Sequence, residues 1–423
     1  MNLIKTSALS FIATMVKLVA GLVVNKVAAI YIGPSGFAAI GQFQNFIQMV
    51  SIAAQGGINQ GVVKLIAEHR QNRESLVQIF STGLKISLVA SVFISTMLVL
   101  FPKSISYRLT GTYNYSYIIV LFGCTIYLFV ANNYLLSILN GLKEIEKYIT
   151  INIIQSVCGL IFTAFLIYFW KIDGALIALV TNQSIVFFII IAMLRKHKLF
   201  GYFRLKRAID QRLARSLLGF SAMALVSCIC IPLSHMVIRN YIGTHIGWDA
   251  AGYWQAIWYI SAAYMMVITT TLSTYYLPRL SEVKERSKIR AEIYKSALFL
   301  LPIAILLSLS IYFLRDIIIQ VLFTEKFESI KDLFLYQLLG DVVKITSWAL
   351  GFLTIAKGMT RTFIAFEILG SISFVLLSIL FVDAYGLIGV TMAYLANYLL
   401  YLLVLIYIFR DVLFYDGTSL LKR

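Results

Sequence analysis

Five basic side chains stand inside stretches that are otherwise apolar: Lys17, Lys26, Lys85, Arg239 and Lys344. The acids placed in the same way are Asp341 and, nearer a basic flank, Glu367. A charge at mid-bilayer costs ~2.5–3.5 kcal/mol on insertion scales, so each one invites a functional reading. Two acids cannot neutralise five bases, and the surplus predicts a water-filled cavity that receives an anion. Lys17, Lys26, Arg239 and Lys344 are the candidate anion-binding groups. Lys26, Lys85 and Arg239 lie nearer the membrane surfaces, where snorkelling to the headgroups is an alternative role. Lys17 and Lys26 are nine residues apart, which puts them on opposite faces of a straight helix. Either Gly21 bends that helix or one of the two does not face the cavity. Asp341 and Lys344, three residues apart, are close enough to pair, and such a pair can trade a proton when an anion competes for the lysine. Asp341, Glu367 and His235 are therefore the candidates for ion coupling. His235 precedes Arg239 by one turn and follows Pro232, where a kink is expected.

A second set of residues suits hydroxyl-rich ligands. Gln44, Gln48, Gln55 and Asn59 recur at steps of four, seven and four, which returns to one helix face. Carboxamides both donate and accept, as sugar hydroxyls do; the same stripe also suits a hydrogen-bonded seam between helices, with Gly41, Gly56, Gly57 and Gly61 permitting close approach. Asn133, Ser137 and Asn140 repeat the theme. Gln337, Asp341, Lys344 and Trp348 share another face, and Trp254, Gln255 and Trp258 cluster ahead of Tyr264, Tyr275 and Tyr276. Gln44, Gln48, Gln55, Asn59, Asn133, Trp254, Trp258 and Gln337 are the candidate lining of a glycan-binding cavity.

These residues need long membrane helices to position them, and the composition supplies those. Of 423 residues, 60% are hydrophobic and only 13% charged, with a mean hydropathy of +0.86. That excludes a soluble enzyme, a disordered chain and a nucleic-acid binder. The expected fold class is all-α: a polytopic membrane protein of twelve transmembrane helices in two pseudo-symmetric six-helix bundles around a central cavity. The spans fall roughly at 8–32, 37–66, 77–101, 116–140, 149–170, 174–194, 216–242, 251–277, 296–322, 332–356, 363–382 and 387–409. With both termini cytoplasmic, 25 of the 36 Lys and Arg lie on the cytoplasmic side and six on the other, and the remaining five are those within spans. That bias sets orientation and explains the net charge of +17. The longest cytoplasmic connection, 195–215, carries Leu199, Phe200, Tyr202, Phe203 and Leu205 among its charges and reads as an amphipathic surface segment. It divides the chain into bundles 1–205 and 206–423. A repeat agrees: YIGPSGFAAIG from Tyr31 and YIGTHIGWDAAG from Tyr241 are offset by 210, and Asp173-Gly174 answers Asp383…Gly386. Two such bundles in one chain make a monomeric working unit sufficient.

Short non-cytoplasmic connections argue against an enzyme with a catalytic extracytoplasmic domain. No GxxxxGK[ST] loop, HExxH or acidic metal cluster occurs, and Cys124, Cys158, Cys228 and Cys230 sit in apolar runs without a CxxC pair. No cofactor and no metal is expected. The stretches VKLVAGLVVNK (Val16–Lys26), IGPSGFAAIGQFQ (Ile32–Gln44), YLPRLSEV (Tyr276–Val283), LFLYQLLGDVVKI (Leu333–Ile345) and GFLTIAKG (Gly351–Gly358) resemble the Wzx flippases of the multidrug/oligosaccharidyl-lipid/polysaccharide exporter superfamily, close to the type that handles the lipid III of enterobacterial common antigen. Lys17, Lys26, Arg239, Asp341 and Lys344 sit where the resembling motifs carry the same residue types. The resemblance implies alternating-access translocation of an undecaprenyl diphosphate bearing an oligosaccharide repeat (O antigen or common-antigen lipid III) from the inner to the outer leaflet of a bacterial inner membrane. It also implies protons or sodium ions as coupling ions, and a polysaccharide polymerase and chain-length regulator as partners. Related flippases can carry an acid in span eight, where this chain reads Ile260-Ser261-Ala262-Ala263-Tyr264; that shifts coupling to Asp341 and Glu367. The rival within the superfamily is a proton- or sodium-coupled multidrug exporter, whose cationic substrates require acids that this interior lacks.

Overall fold

Apolar runs of 20 residues and more become helices because only a helix satisfies its own backbone polar groups without water. The computed structural model describes residues 3–195, 199, 201, 210–272, 276–283 and 285–414, and among them no strand occurs. The helices are α1 (Leu3–Tyr31), α2 (Gly33–Ala54), α3 (Asn59–Glu68), α4 (Arg73–Leu100), α5 (Pro102–Thr110), α6 (Ser116–Gly141), α7 (Ile145–Leu194), α8 (Gln211–His245), α9 (Trp248–Thr271), α10 (Leu277–Glu282), α11 (Arg286–Phe313), α12 (Arg315–Leu322), α13 (Phe334–Ala356), α14 (Thr360–Tyr385), α15 (Ile388–Ile408) and α16 (Arg410–Phe414). A 3₁₀ segment, Glu325–Leu333, precedes α13.

Among the described residues, nine helices are long and apolar enough to cross a membrane. One of them, α7, has 50 residues and reverses at Lys171, whose φ of 49° and ψ of −122° break the helix. It therefore supplies two crossings. The helices α2 and α9, with 22 and 24 residues, fall outside the nine because they carry the amide stripe and the tryptophan cluster. Counted with them, the chain is compatible with twelve crossings. Large apolar side chains such as Phe93, Leu298, Phe313, Leu369 and Leu403 are more than 60% exposed, as a surface solvated by lipid tails requires.

The chain forms two compact units. The first comprises Met1–Gly33 and Ala39–Met236, and the second Pro34–Ala38 and Val237–Arg423. In the first, α1 and α6 lie against α7, and α4 against α6. Phe43, Ile118, Phe122, Ile126 and Leu176 centre one core cluster, while Ile58, Phe80, Tyr134, Ile138 and Val186 centre another. In the second unit α13 and α15 form the central pair, flanked by α11 and α14, over a core of Leu272, Ile289, Leu353 and Leu405. The five residues Pro34–Ala38 of α2 are seated on α9: Asp249 accepts the Ser35 backbone N–H at 2.9 Å, and Gly252 lets the Pro34 backbone approach where any Cβ would collide with it.

One sequence expectation changes here, and another lies largely outside the described residues. The amide stripe of span two does not lie on one continuous helix. Gly56 and Gly57 adopt φ of 70° and 65°, which ends α2 at Ala54 and starts α3 at Asn59. The surface segment 195–215 falls largely outside the described residues, including Phe200, Tyr202, Phe203 and Leu205. Its described end is the start of α8, where Asp210 accepts the backbone N–H groups of Arg212 and Leu213 at 2.9 and 3.1 Å.

Candidate functional site

Each unit holds a polar constellation among its apolar helices. In the first, α2, α6 and both halves of α7 enclose a cavity of about 450 Å³. The α2 wall contributes Gln44, Gln48, Ser51 and Gln55, and the α6 wall contributes Phe129 and Asn133. The two halves of α7 add Thr163, Asn182 and Gln183. Among the described residues, no charged side chain lines it. Asn133 donates from Nδ2 to Gln183 Oε1 at 3.0 Å, and Asn132 does so at 3.4 Å. Ser51 is buried, and its Oγ has no protein partner among the described residues. Gly159 faces Asn182 so closely that a Cβ there would meet the carboxamide. Gln44, Gln48, Gln55 and Asn133, four of the amides expected to line a glycan cavity, come together here. Asn59, the fifth expected amide in this unit, starts α3 and hydrogen-bonds Gln55 instead of lining the cavity, because the glycine break turns it away from the α2 face.

The second unit holds the charges. Asp341, fully buried on α13, accepts three hydroxyl protons: Ser261 and Tyr264 of α9 at 2.6 Å each and Tyr394 of α15 at 2.7 Å. Gln337, one turn earlier, reaches Ser261 Oγ at 3.4 Å. Lys344 lies in a cage of four rings, its Nζ 5.0 Å from the centroid of Trp258, 4.9 Å from Trp348, 5.4 Å from Tyr394 and 5.1 Å from Tyr398. Ring faces attract a cation through their quadrupoles, each contributing about 0.5–2 kcal/mol depending on desolvation. The expected Asp341–Lys344 ion pair is absent: among the described residues no ion pair within 4.0 Å involves either. Three hydroxyls already satisfy the carboxylate, and the rings hold the ammonium.

Arg239 extends the cluster from α8. It is 1% exposed, donates from Nη2 to Gln255 Oε1 and stacks its guanidinium 5.5 Å from the Trp254 centroid. Trp254 in turn meets Trp258, which links the two buried cations through aromatic rings. Glu367 is half-buried on α14, within electrostatic reach of Tyr398 and Tyr401. His235 is buried on α8, one turn before Arg239. Lys17 is exposed and Lys26 half-buried on α1, and neither lines the amide cavity. Tyr275 lies outside the described residues.

Ser51, Thr163, Asn182, Gln183 and the α15 tyrosines escaped the sequence reading. The pair Asn182-Gln183 is a polar break in an apolar span, and Tyr394, Tyr398 and Tyr401 repeat at helical spacing. Both signals were present.

Residues 3–284 match the family described as polysaccharide biosynthesis protein. The chain is also 31% identical over 401 residues to a lipid III flippase of Escherichia coli (strain K12), a match that covers 95% of this chain and 96% of the relative. The lipid III flippase of Shigella flexneri matches to the same extent. The chain belongs to this family. Among solved structures, an inward-facing multidrug resistance MATE family transporter of the MOP superfamily superposes with a TM-score of 0.73 at 15% identity, covering 94% of each chain. The lipid II flippase MurJ, in an inward closed conformation, superposes with a TM-score of 0.72 at 18% identity, covering 96% of this chain and 87% of MurJ. The fold is thus that of the MOP superfamily transporters, and the protein is a multi-pass membrane protein.

Proposed function

We propose that the protein is a flippase. It carries undecaprenyl-diphosphate-linked oligosaccharide repeat units, of the O-antigen or common-antigen lipid III kind, from the cytoplasmic to the periplasmic leaflet of a bacterial inner membrane by alternating access. The observation that carries this reading is the identity of 31% with lipid III flippases along 95% of the chain. The site chemistry supports it. A diphosphate that leaves water needs cationic donors, and Lys344 and Arg239 are buried cations, the first caged by four rings with Asp341 within electrostatic reach, the second against Trp254 and Gln255. Glycan hydroxyls need groups that both donate and accept, and the first unit supplies carboxamides. Lys17 and Lys26 serve the anionic headgroup on its way in or out. The polyprenyl tail stays in the bilayer throughout.

In this reading the chain is two six-helix bundles, 1–205 and 206–423, with both termini cytoplasmic. It works as a monomer and performs no covalent chemistry. Transport is coupled to a proton or sodium gradient through Asp341 or Glu367. Protonating Asp341 would remove an acceptor from Ser261, Tyr264 and Tyr394 and so loosen the contacts of α13 with α9 and α15. A polymerase and a chain-length regulator receive the product on the outer side.

The test is depletion of the protein in its host, followed by assay of lipid-linked oligosaccharide on each leaflet. Intact single repeats should accumulate on the cytoplasmic leaflet. Normal outward appearance in cells without a second flippase overturns the reading, and accumulation of lipophilic cations instead would assign the chain to drug export.

A further inference from the structure

The amide cavity of the first unit is chemically distinct from the cationic cluster of the second. Among the described residues, its wall offers carboxamides and hydroxyls but neither a base nor an acid. An anion brought there would lose its hydration without gaining a countercharge, and so would a cation. A neutral polyol meets no such penalty. The volume of about 450 Å³ lies in the range of ligand pockets.

The hydrogen-bonding state of the wall also points to a ligand. Gln183 Oε1 is occupied by Asn132 and Asn133, which leaves its two N–H donors without a protein partner among the described residues. Asn182, beside it, makes no hydrogen bond to protein among the described residues, so both its donors and its acceptor are available. Ser51 Oγ, 3% exposed on the facing wall, is likewise unpartnered. At membrane depth such groups require water or a ligand. Phe129 supplies an apolar surface for the C–H face of a ring. Gly159 adds a positioning element, since its missing side chain is what lets the Asn182 carboxamide lie against the first half of α7.

We propose that this cavity is a subsite for an uncharged sugar residue, in which Asn182 and Gln183 determine specificity and Gly159 positions Asn182. The assignment of that sugar to the glycan of a lipid-linked cargo rests on the flippase reading, but the recognition of a neutral saccharide does not.

The test uses the full chain in nanodiscs and saturation-transfer NMR. The probes are a neutral hexose disaccharide and the same disaccharide with one hexose oxidised to the uronate. The neutral probe should bind and the uronate should bind at least tenfold more weakly. Asn182→Leu and Gln183→Leu should each weaken the neutral probe by about tenfold, the effect of one lost hydrogen bond at the upper end of its range. Gly159→Ala should weaken it similarly through displacement of Asn182. Melting temperatures separate loss of the site from loss of the fold, and Asn182→Asp, which keeps shape and adds charge, provides a second variant if the leucine forms unfold. Equal or tighter binding of the uronate, no binding of either probe, or unchanged binding in all the folded variants overturns the proposal. Translocation in proteoliposomes distinguishes the two readings. Disaccharide binding that depends on Asn182, without translocation of any lipid-linked glycan by the wild type, would sink the flippase reading and leave the sugar subsite. Wild-type translocation undiminished in Asn182→Leu would do the reverse.

Discussion

Lys344 is a buried ammonium whose neighbours attract it without neutralising it. A carboxylate within hydrogen-bond distance would hold the charge in place and oppose an incoming anion. Four ring faces leave the positive charge available while still compensating part of its lost hydration. This makes Lys344 the residue most suited to engage a diphosphate, and it separates function from stability. Burying an ammonium with no ion-pair partner within 4.0 Å among the described residues carries a desolvation penalty, and an apolar side chain of similar length removes that penalty at the cost of the ring contacts. Lys344→Met should therefore keep or raise the melting temperature and reduce translocation by at least tenfold, whereas Lys344→Arg should retain part of the rate. A Lys344→Met protein that translocates at the wild-type rate would remove the residue from the mechanism. Asp341 calls for a different experiment, because its three hydroxyl donors make it a structural node as well as a coupling candidate. Asp341→Asn keeps an acceptor oxygen but cannot release a proton. Downhill exchange of cargo should persist in that variant, and acceleration by an imposed ion gradient should be lost. If gradient acceleration survives, coupling passes to Glu367, and Glu367→Gln should then abolish it.

Two of the stretches that carry the family resemblance meet at one end of the second unit. Tyr276 donates to the Ala349 carbonyl at 2.8 Å, and Lys357 donates to the carbonyl of Leu280 at 2.8 Å and to that of Val283. The lysine thus caps the free carbonyls at the end of α10 and ties that short helix to the end of α13. Lys357→Met should cost about 1.5 kcal/mol, the lower part of the range for a charged hydrogen bond because the site is half-exposed. The check is a lower melting temperature with translocation per folded molecule unchanged; a loss of translocation without a loss of stability would give Lys357 a role in the cargo path. Elements of this kind also define what was legible beforehand. Apolar length marked the spans, and Asp173-Gly174 marked the reversal within α7. The break between α2 and α3 was hidden, because steps of four, seven and four fit a helix and only the positive φ of Gly56 and Gly57 ends it. The pairing of Asp341 with Lys344 was misread for a related reason. Spacing on one helix brings two side chains within reach of each other, but the hydroxyls of α9 and the rings of α15 come from elsewhere in the chain and compete for both. Gly159 was illegible as a positioning residue, since its role depends on an asparagine 23 positions away.

The charge of the whole molecule is distributed rather than merely large. The cytoplasmic assignment of 25 of 36 basic residues predicts orientation because translocating Lys and Arg is disfavoured while Asp and Glu count for little. In the proposed orientation Lys331 lies on the other side; it pairs with Glu328 and with Asp316, each at 2.9 Å, and these carboxylates raise its pKa above the ordinary lysine value. It therefore stays protonated across the physiological range. The pairing does not change the topological count, since insertion precedes the folded contacts, but it offsets the positive charge that an anionic cargo would meet on that face. The loop 69–73, cytoplasmic in the proposed orientation, carries Arg70 and Arg73, and Asn72 caps α4 through the backbone N–H groups of Glu74 and Ser75. Orientation decides the direction of transport, so it deserves a direct measurement. In a chain whose Cys124, Cys158, Cys228 and Cys230 are replaced by serine or alanine, a single cysteine at Gln71 should resist a membrane-impermeant maleimide in spheroplasts and react in inverted vesicles. A single cysteine at Glu328 should show the opposite pattern. Reversed labelling at both positions would place the basic loops outside, and the face richest in cations would then receive the cargo after its crossing rather than before it. Labelling of both positions from the same side would contradict the seven spans between them, from 77–101 to 296–322 with α7 contributing two, because an odd number of crossings requires opposite sides.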